Sequence, residues 1–452
     1  MPAFKPSLTG DSAALPPEVR KQALWVAAIT LGLHLLILAY DRATDFRAFS
    51  WGDRGLERTR ILKIFADLHD PLLPAMTQSP IVPGEYIFAL IPWTLAGPVG
   101  VIVMQIALAV LAAWLVARLA GRVTPWPRAP LACGLIYACI PQNLAFPHQL
   151  VTEAIVTPLC MVWLYATLSG LRGGRIAPFL IGGLALGLAM LTRPVVLLML
   201  PVTFVLALLS PPARARLKRP GLYAMAAMAL VPFAIWVAIF TSVTGHIGYN
   251  TGSANLAWNL RSKILITEKA NGITPPEDVV TQEAGTSPAR FLTEVRLHPV
   301  PFIKAAVLDT VTVFVRGNTT KITVDYLGIG RDPAGWRQQL VYAHDARQAW
   351  LAQVLSPVFL LEEAGSLLTG LFFAFVLWRV LVLLREAMRA APAAPSDPIF
   401  LTLVTAAWLI NVLLSAQMVD QAQGRLRNPA EAALILFAAM ALGRMRQRLK
   451  GL

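Results

Sequence analysis

Apolar runs long enough to cross a bilayer recur along this chain from one end to the other, and nothing else constrains its fold as much. Leu24–Tyr40 is the first of them. A helix needs roughly 17–25 mostly apolar residues to bridge the hydrocarbon core. Inside lipid only helices and closed barrels satisfy their own backbone groups. Of 452 residues, 56% are hydrophobic and 14% charged, and mean hydropathy is +0.60. A soluble chain of this length carries about 25% charged residues. The fold class read from these facts is all-α, a polytopic helical membrane protein.

The net charge of +14 does not point to nucleic acid, because of where the bases sit. They cluster in short loops between apolar runs, the pattern of cytoplasmic loops that meet anionic headgroups. Arg20 and Lys21 precede the first run, which puts the N-terminus in the cytoplasm and Asp41 outside. The basic loops Arg118–Arg128, Arg172–Arg175 and Arg214–Arg219 and the tail Arg444–Lys450 then require the spans between them to come in pairs. Ala129–Phe146 pairs with Val151–Ser169 around an outer turn at Pro147-His148-Gln149. Ile176–Leu191 pairs with Pro194–Leu209 around Thr192-Arg193-Pro194. Ile81–Arg118 is too long for one straight helix and holds a Gly97-Pro98 break. It counts as one net crossing, with Ile81–Ala96 shallow or re-entrant. Spans at Leu222–Phe240, Pro357–Leu384, Ile399–Gln417 and Pro429–Leu442 bring the total to about ten, with both termini inside. The polar first twenty or so residues, with no small-residue cleavage site after Tyr40, make the first run an uncleaved anchor. Cys133, Cys139 and Cys160 all lie in apolar runs, so no disulfide is expected.

Three regions follow. Residues 1–240 form an N-terminal transmembrane module with an external loop at 41–80. Residues 241–356 form a second external region with nine acids and eleven bases. Residues 357–452 form the C-terminal helices. In the first loop Ile61, Ile64, Phe65 and Leu68 share one helical face, while Arg58, Arg60, Lys63 and Asp67 lie opposite, as in a helix lying on the membrane surface. Asp53 and Glu57, four residues apart, fall on one side near its start. A carboxylate there suits proton abstraction from a hydroxyl, and the cations Arg58 and Lys63 suit a phosphate. The plainer reading is that these charges anchor an interfacial helix. His34 and Asn411, isolated in spans, are expected to bond neighbouring helices.

Trp51-Gly52-Asp53-Arg54-Gly55, followed by Ser79-Pro80-Ile81-Val82-Pro83-Gly84-Glu85-Tyr86, resembles the first external loop of the type C (GT-C) glycosyltransferases. These polyprenyl-phosphate-sugar enzymes include the protein O-mannosyltransferases and the lipid A aminoarabinose transferases. Further matches follow in order: Leu150-Val151-Thr152-Glu153, then Gly187-Leu188-Ala189-Met190-Leu191-Thr192-Arg193-Pro194, Gly248-Tyr249-Asn250, His298-Pro299, and Arg425-Leu426-Arg427-Asn428-Pro429. The Tyr that often follows the acidic motif is missing, with Glu57 near its place, and the Pro-Pro pair is relaxed to Pro80 and Pro83.

The resemblance implies that Asp53 is the general base or orients the acceptor, with Glu57 and Glu153 as further site carboxylates. Arg58, Lys63, Arg193, Arg425 and Arg427 are then candidates for the donor phosphate. Pairing of Glu153 with His148 or Arg193, and anchoring of a helix end by Arg193, are equally open. Some relatives use a divalent metal, but no ligand spacing in this sequence demands one. The expected partners are membrane lipids, a polyprenyl-phosphate-sugar donor and a lipid, glycan or protein acceptor. The expected location is a bacterial inner membrane, with the active site on the periplasmic side. The alternatives are a transporter or flippase of polyprenyl-linked lipid or polysaccharide, and a non-catalytic envelope scaffold. Transporters place ionisable groups near the bilayer midplane, whereas the acids here gather in external loops.

Overall fold

A computed structural model describes residues 15–46, 49, 59, 61–63, 83–248, 253–281, 286–315, 357–390, 396–417 and 428–450. Among them the regular structure is helical throughout. In chain order the elements are α1 (Pro17–Ala43), α2 (Gly84–Val123), α3 (Ala129–Cys139), α4 (Pro141–Ala145) with a 3₁₀ turn at Phe146–His148, α5 (Glu153–Gly173) and α6 (Ile176–Thr192). A second 3₁₀ turn at Pro194–Leu198 leads to α7 (Met199–Leu209), α8 (Pro211–Arg216) and α9 (Pro220–Thr244). Then come α10 (Ser253–Ala270), α11 (Glu277–Thr281), α12 (Pro288–Leu297), α13 (Pro299–Val315), α14 (Pro357–Arg389), α15 (Ser396–Gln417) and α16 (Asn428–Lys450).

Among the described residues six helices are long and apolar enough to cross a membrane, or eight if each of two bent pairs is one span. The bent pairs are Ala129–Cys139 with Pro141–His148, turned by 67°, and Pro288–Leu297 with Pro299–Phe314, turned by 111°. The chain is therefore a multi-pass membrane protein, but length and composition do not reach the expected ten crossings. The shortfall has a physical cause. The 17 residues of α6 rise about 26 Å, short of the roughly 30 Å core, and the segment through α7 is shorter still; α16 does not qualify either, while the bent pair Pro288–Phe314 is not among the ten.

The expected break falls inside α2, where Ala96 and Gly97 leave helical geometry and Gly97 takes φ 57°. The bend is sharp. A Cβ at Gly100 would stand 2.0 Å from the Pro92 carbonyl oxygen, although residues eight apart lie about 12 Å apart along a straight helix. Glycine is needed at both positions, at Gly97 for the left-handed turn and at Gly100 for the close approach. The first limb leaves Ile87, Ile91 and Leu95 exposed. The second limb packs on α1, α3 and α5.

The Gly-rich block of α6 is a packing device. Cβ atoms at Gly183 and Gly187 would meet the carbonyl oxygens of Met225 and Ala229 in α9 at 2.3 and 2.5 Å. Small residues four apart let two membrane helices touch backbone to backbone. That contact holds α6 up to its C-terminal end, where Thr192 and Arg193 stand. At the other end of the bundle the basic loops converge. Arg122 donates to Ser169 Oγ at 2.8 Å and to the Tyr165 hydroxyl at 2.9 Å. Arg172 pairs with Asp397 at 2.5 Å, and Arg219 donates to the Leu171 carbonyl. These loops thus share one end of the bundle, as the pairing of spans requires. Helix α13 packs against α14 and α15, and its Val313 joins the main core.

Candidate active site

The polar end opposite the basic loops is built from four elements. His34 and Asp41 lie seven residues apart on α1 and so on one face. The turn after α4 brings His148 between them. Its Nδ1 is 2.5 Å from Asp41 Oδ2, and its Nε2 is 3.0 Å from His34 Nδ1. All three side chains are buried. With Asp41 ionised and both imidazoles neutral, His148 Nδ1–H donates to the carboxylate, and His148 Nε2 accepts from His34 Nδ1–H. The chain of bonds thereby fixes both tautomers. It ties the end of α1, and so the start of the first loop, to the turn ahead of α5.

Five residues later Glu153 opens α5. Its Oε1 accepts from Arg193 Nη1 at 3.2 Å, and its Oε2 accepts from Thr152 Oγ1 at 3.1 Å. The Glu153 side chain is 5% exposed and that of Arg193 15%. Each charge suits the helix end it occupies, the carboxylate at the N-terminus of α5 and the guanidinium just after the C-terminus of α6. His34 and Glu153 line one cavity of about 20 Å³ with Thr30, Tyr137, Asn143 and Thr157, room for about one water.

The first limb of α2 closes on the same place. A Cβ at Gly84 would lie 2.4 Å from the Thr192 backbone nitrogen, so α2 starts in contact with the turn that carries Arg193. The next residue, Glu85, is fully buried. Phe49 holds the first loop down: its carbonyl accepts the Leu150 N–H at 3.2 Å, and its ring stacks on Trp93 at 6.0 Å. Buried Leu62 joins Phe49, Tyr86, Leu150, Leu191 and Trp236 in one apolar cluster. At the end of α1, Asp45 and Phe46 take φ 52° and 54°. These are left-handed conformations that cost non-glycine residues about 1–3 kcal/mol each. The turn is closed by the Phe46 N–H donating to the Asp41 carbonyl at 2.7 Å.

Of the residues singled out from the sequence, Glu153 and Arg193 come together. Lys63 is exposed and helical. Asp53, Glu57, Arg58, Arg425 and Arg427 lie outside the described residues, as does most of the proposed surface helix. Asn411 does bond a neighbouring segment, donating to the Val195 carbonyl at 3.1 Å. His34 does likewise through His148. What sequence reasoning missed is the Asp41–His148–His34 chain. Its signal was present, because an acid and a histidine seven apart on an otherwise apolar helix share a face that must be satisfied. An apolar cavity of about 590 Å³ lies elsewhere, lined by Trp163, Phe204, Leu217, Met225 and Phe400 among others. Arg216 is its one charged lining residue, so it suits hydrocarbon and not proton transfer.

No curated protein and no solved structure matches the chain. Residues 88–239 match the family model described as dolichyl-phosphate-mannose-protein mannosyltransferase. The match spans α2 to α9 and includes Glu153 and Arg193, while the first loop and its Asp53 precede it. Over that third of its length the chain is similar to membrane glycosyltransferases that draw on a polyprenyl-phosphate-linked sugar, which bears out the resemblance carried by its motifs.

Proposed function

We propose that this protein is an inverting glycosyltransferase of a bacterial inner membrane. It moves a sugar from a polyprenyl-phosphate donor to a lipid, glycan or protein acceptor on the periplasmic face, with both termini in the cytoplasm. The observation that carries the reading is the convergence, at one end of the bundle, of the Glu153–Arg193 pair and the Asp41–His148–His34 chain. Both lie inside or beside the segment that matches the mannosyltransferase family. Phe49, held against Leu150, tethers the first loop there, and Asp53 follows it by four residues.

In this mechanism Asp53 takes the proton from the acceptor hydroxyl as its oxygen attacks the anomeric carbon. The bond to the lipid phosphate breaks, and the departing phosphate is stabilised by cations, for which Arg58, Lys63, Arg425 and Arg427 are the candidates. Phosphate is already a good leaving group, so no protonated second carboxyl is needed, in contrast to glycoside hydrolases. Arg193 is committed to Glu153 in this structure. The pair therefore sets the floor of the site, and Glu153 orients the acceptor or donor sugar.

The test is sugar transfer by the purified full-length chain in lipid, using a panel of polyprenyl-phosphate sugars and envelope-extract acceptors. Wild type should transfer, and Asp53→Asn, nearly isosteric, should fold normally and transfer 10²–10⁴-fold more slowly, the usual range for a lost general base. Equal rates would remove Asp53 from the mechanism and turn attention to Glu57. Flipping of intact donor without transfer would support the transporter reading.

A further inference from the structure

Beyond the bundle, α10, α11, α12 and α13 enclose a small apolar core of Ile264, Val279 and Phe302. Three potential ligands converge beside it. Glu268 comes from the last turn of α10. Glu294 and His298 come from the end of α12, four residues apart and therefore on one face. One ligand atom from each lies within 4.8 Å of the others. Glu268 is fully buried, and neither of its carboxylate oxygens meets a hydrogen-bond donor among the described residues. Glu294 is also buried and forms an ion pair with Arg290, Nη1 standing 3.1 Å from its Oε1, while the other arm of that guanidinium reaches Asp278 at 3.0 Å. His298 is half-buried at the C-terminal cap of α12.

Bare, this arrangement is unfavourable. A buried carboxylate without donors costs several kcal/mol, and native proteins rarely leave one unpaired. Here two buried carboxylates face each other, and Arg290, already shared with Asp278, is the single cation that reaches them among the described residues. Burial, followed by the facing Glu294, pushes Glu268 up to about 7. The group that fits such a gap brings positive charge and takes ligands from both helices.

We propose that Glu268, Glu294 and His298 bind a divalent transition-metal cation of the zinc class. Two carboxylate oxygens and one imidazole nitrogen make the mixed set that zinc accepts, with a fourth position open to water. Magnesium and calcium prefer all-oxygen sets with more ligands. The ion cross-links α10 to α12 and so sets the shape of the second external region. The sequence held half of this site in the Glu294–His298 spacing. The other half, Glu268, stands 26 residues earlier and is brought in only by the packing of α10 on α12. The inference does not depend on the glycosyltransferase reading, because its readout is metal binding and not transfer.

The full-length protein, purified in detergent and stripped with a chelator, is titrated with zinc chloride by calorimetry, alongside Glu268→Gln and His298→Asn. One zinc per chain is expected, weakened about 100-fold in each variant, and zinc should raise the unfolding temperature of wild type only. If Glu268→Gln fails to fold, His298→Asn, on the half-buried cap, decides alone. The proposal is overturned if wild type binds no stoichiometric zinc, in which case the two carboxylates share a proton. It is equally overturned if binding survives in the variants, which would place the ion elsewhere, or if magnesium binds in zinc's place.

Discussion

Two clusters of buried acids in this molecule are neutralised in different ways. At the polar end of the bundle Asp41 has His148 and Glu153 has Arg193, and each partner comes from a distant part of the chain. Beyond the bundle Glu268 faces Glu294, with Arg290 serving both Glu294 and Asp278. In the first cluster the Arg193 cation balances Glu153, while Asp41 is held through one oxygen by His148. The second is short of positive charge and calls for an ion. A buried acid's role thus follows less from its burial than from what balances it.

Breaking the outer cluster should have the largest effect. Glu153→Gln removes the carboxylate that faces the half-buried Arg193 guanidinium, which costs up to about 3–5 kcal/mol. It should lower the unfolding temperature in detergent and abolish measurable transfer. The double variant Glu153→Gln, Arg193→Met removes both charges and should recover most of that stability. If the pair belongs to the active site, transfer stays lost. Recovery of transfer along with stability would show the pair to be scaffolding alone.

The histidine chain should matter less. Asp41→Asn keeps the volume but removes the charged acceptor of His148, a loss of about 1–3 kcal/mol. Its footprint should include faster hydrogen exchange in residues 41–49, because the chain ties α1 to the turn ahead of α5. An unchanged exchange pattern would separate Asp41 from the anchoring of the loop. Gly84→Ala should cost about 1–3 kcal/mol by overpacking, since its Cβ would press on the Thr192 backbone. Gly32→Ala, whose Cβ would meet nothing within 4 Å, should leave stability and transfer unchanged. Equal effects from the two glycine variants would mean that the α2–α6 contact does not position the site.

Much of the fold was legible because lipid imposes strong rules on sequence. The apolar runs mark the helices, the basic loops fall at one end, and Gly97 marks the turn inside α2. The count of ten crossings was not legible, because α6 and α7 are too short to be judged as spans by composition alone. The site was legible only in part. Glu153 and Arg193 stood out as charges at span ends. Their pairing with each other joins residues forty apart and depends on α6 packing on α5. The Asp41–His148 bond joins residues more than a hundred apart, and no local pattern specifies such a contact. The same holds for Glu268, whose neighbours in sequence gave no sign of the partners that α12 brings to it.

The measurement that bears most directly on the account uses the wild-type chain in proteoliposomes, with a polyprenyl-phosphate sugar labelled in both lipid and sugar, and envelope acceptors. The account predicts that the sugar label moves to the acceptor with inverted anomeric configuration and that free polyprenyl phosphate appears in equal amount. Donor that stays intact while crossing to the other leaflet, with no labelled acceptor, would contradict it.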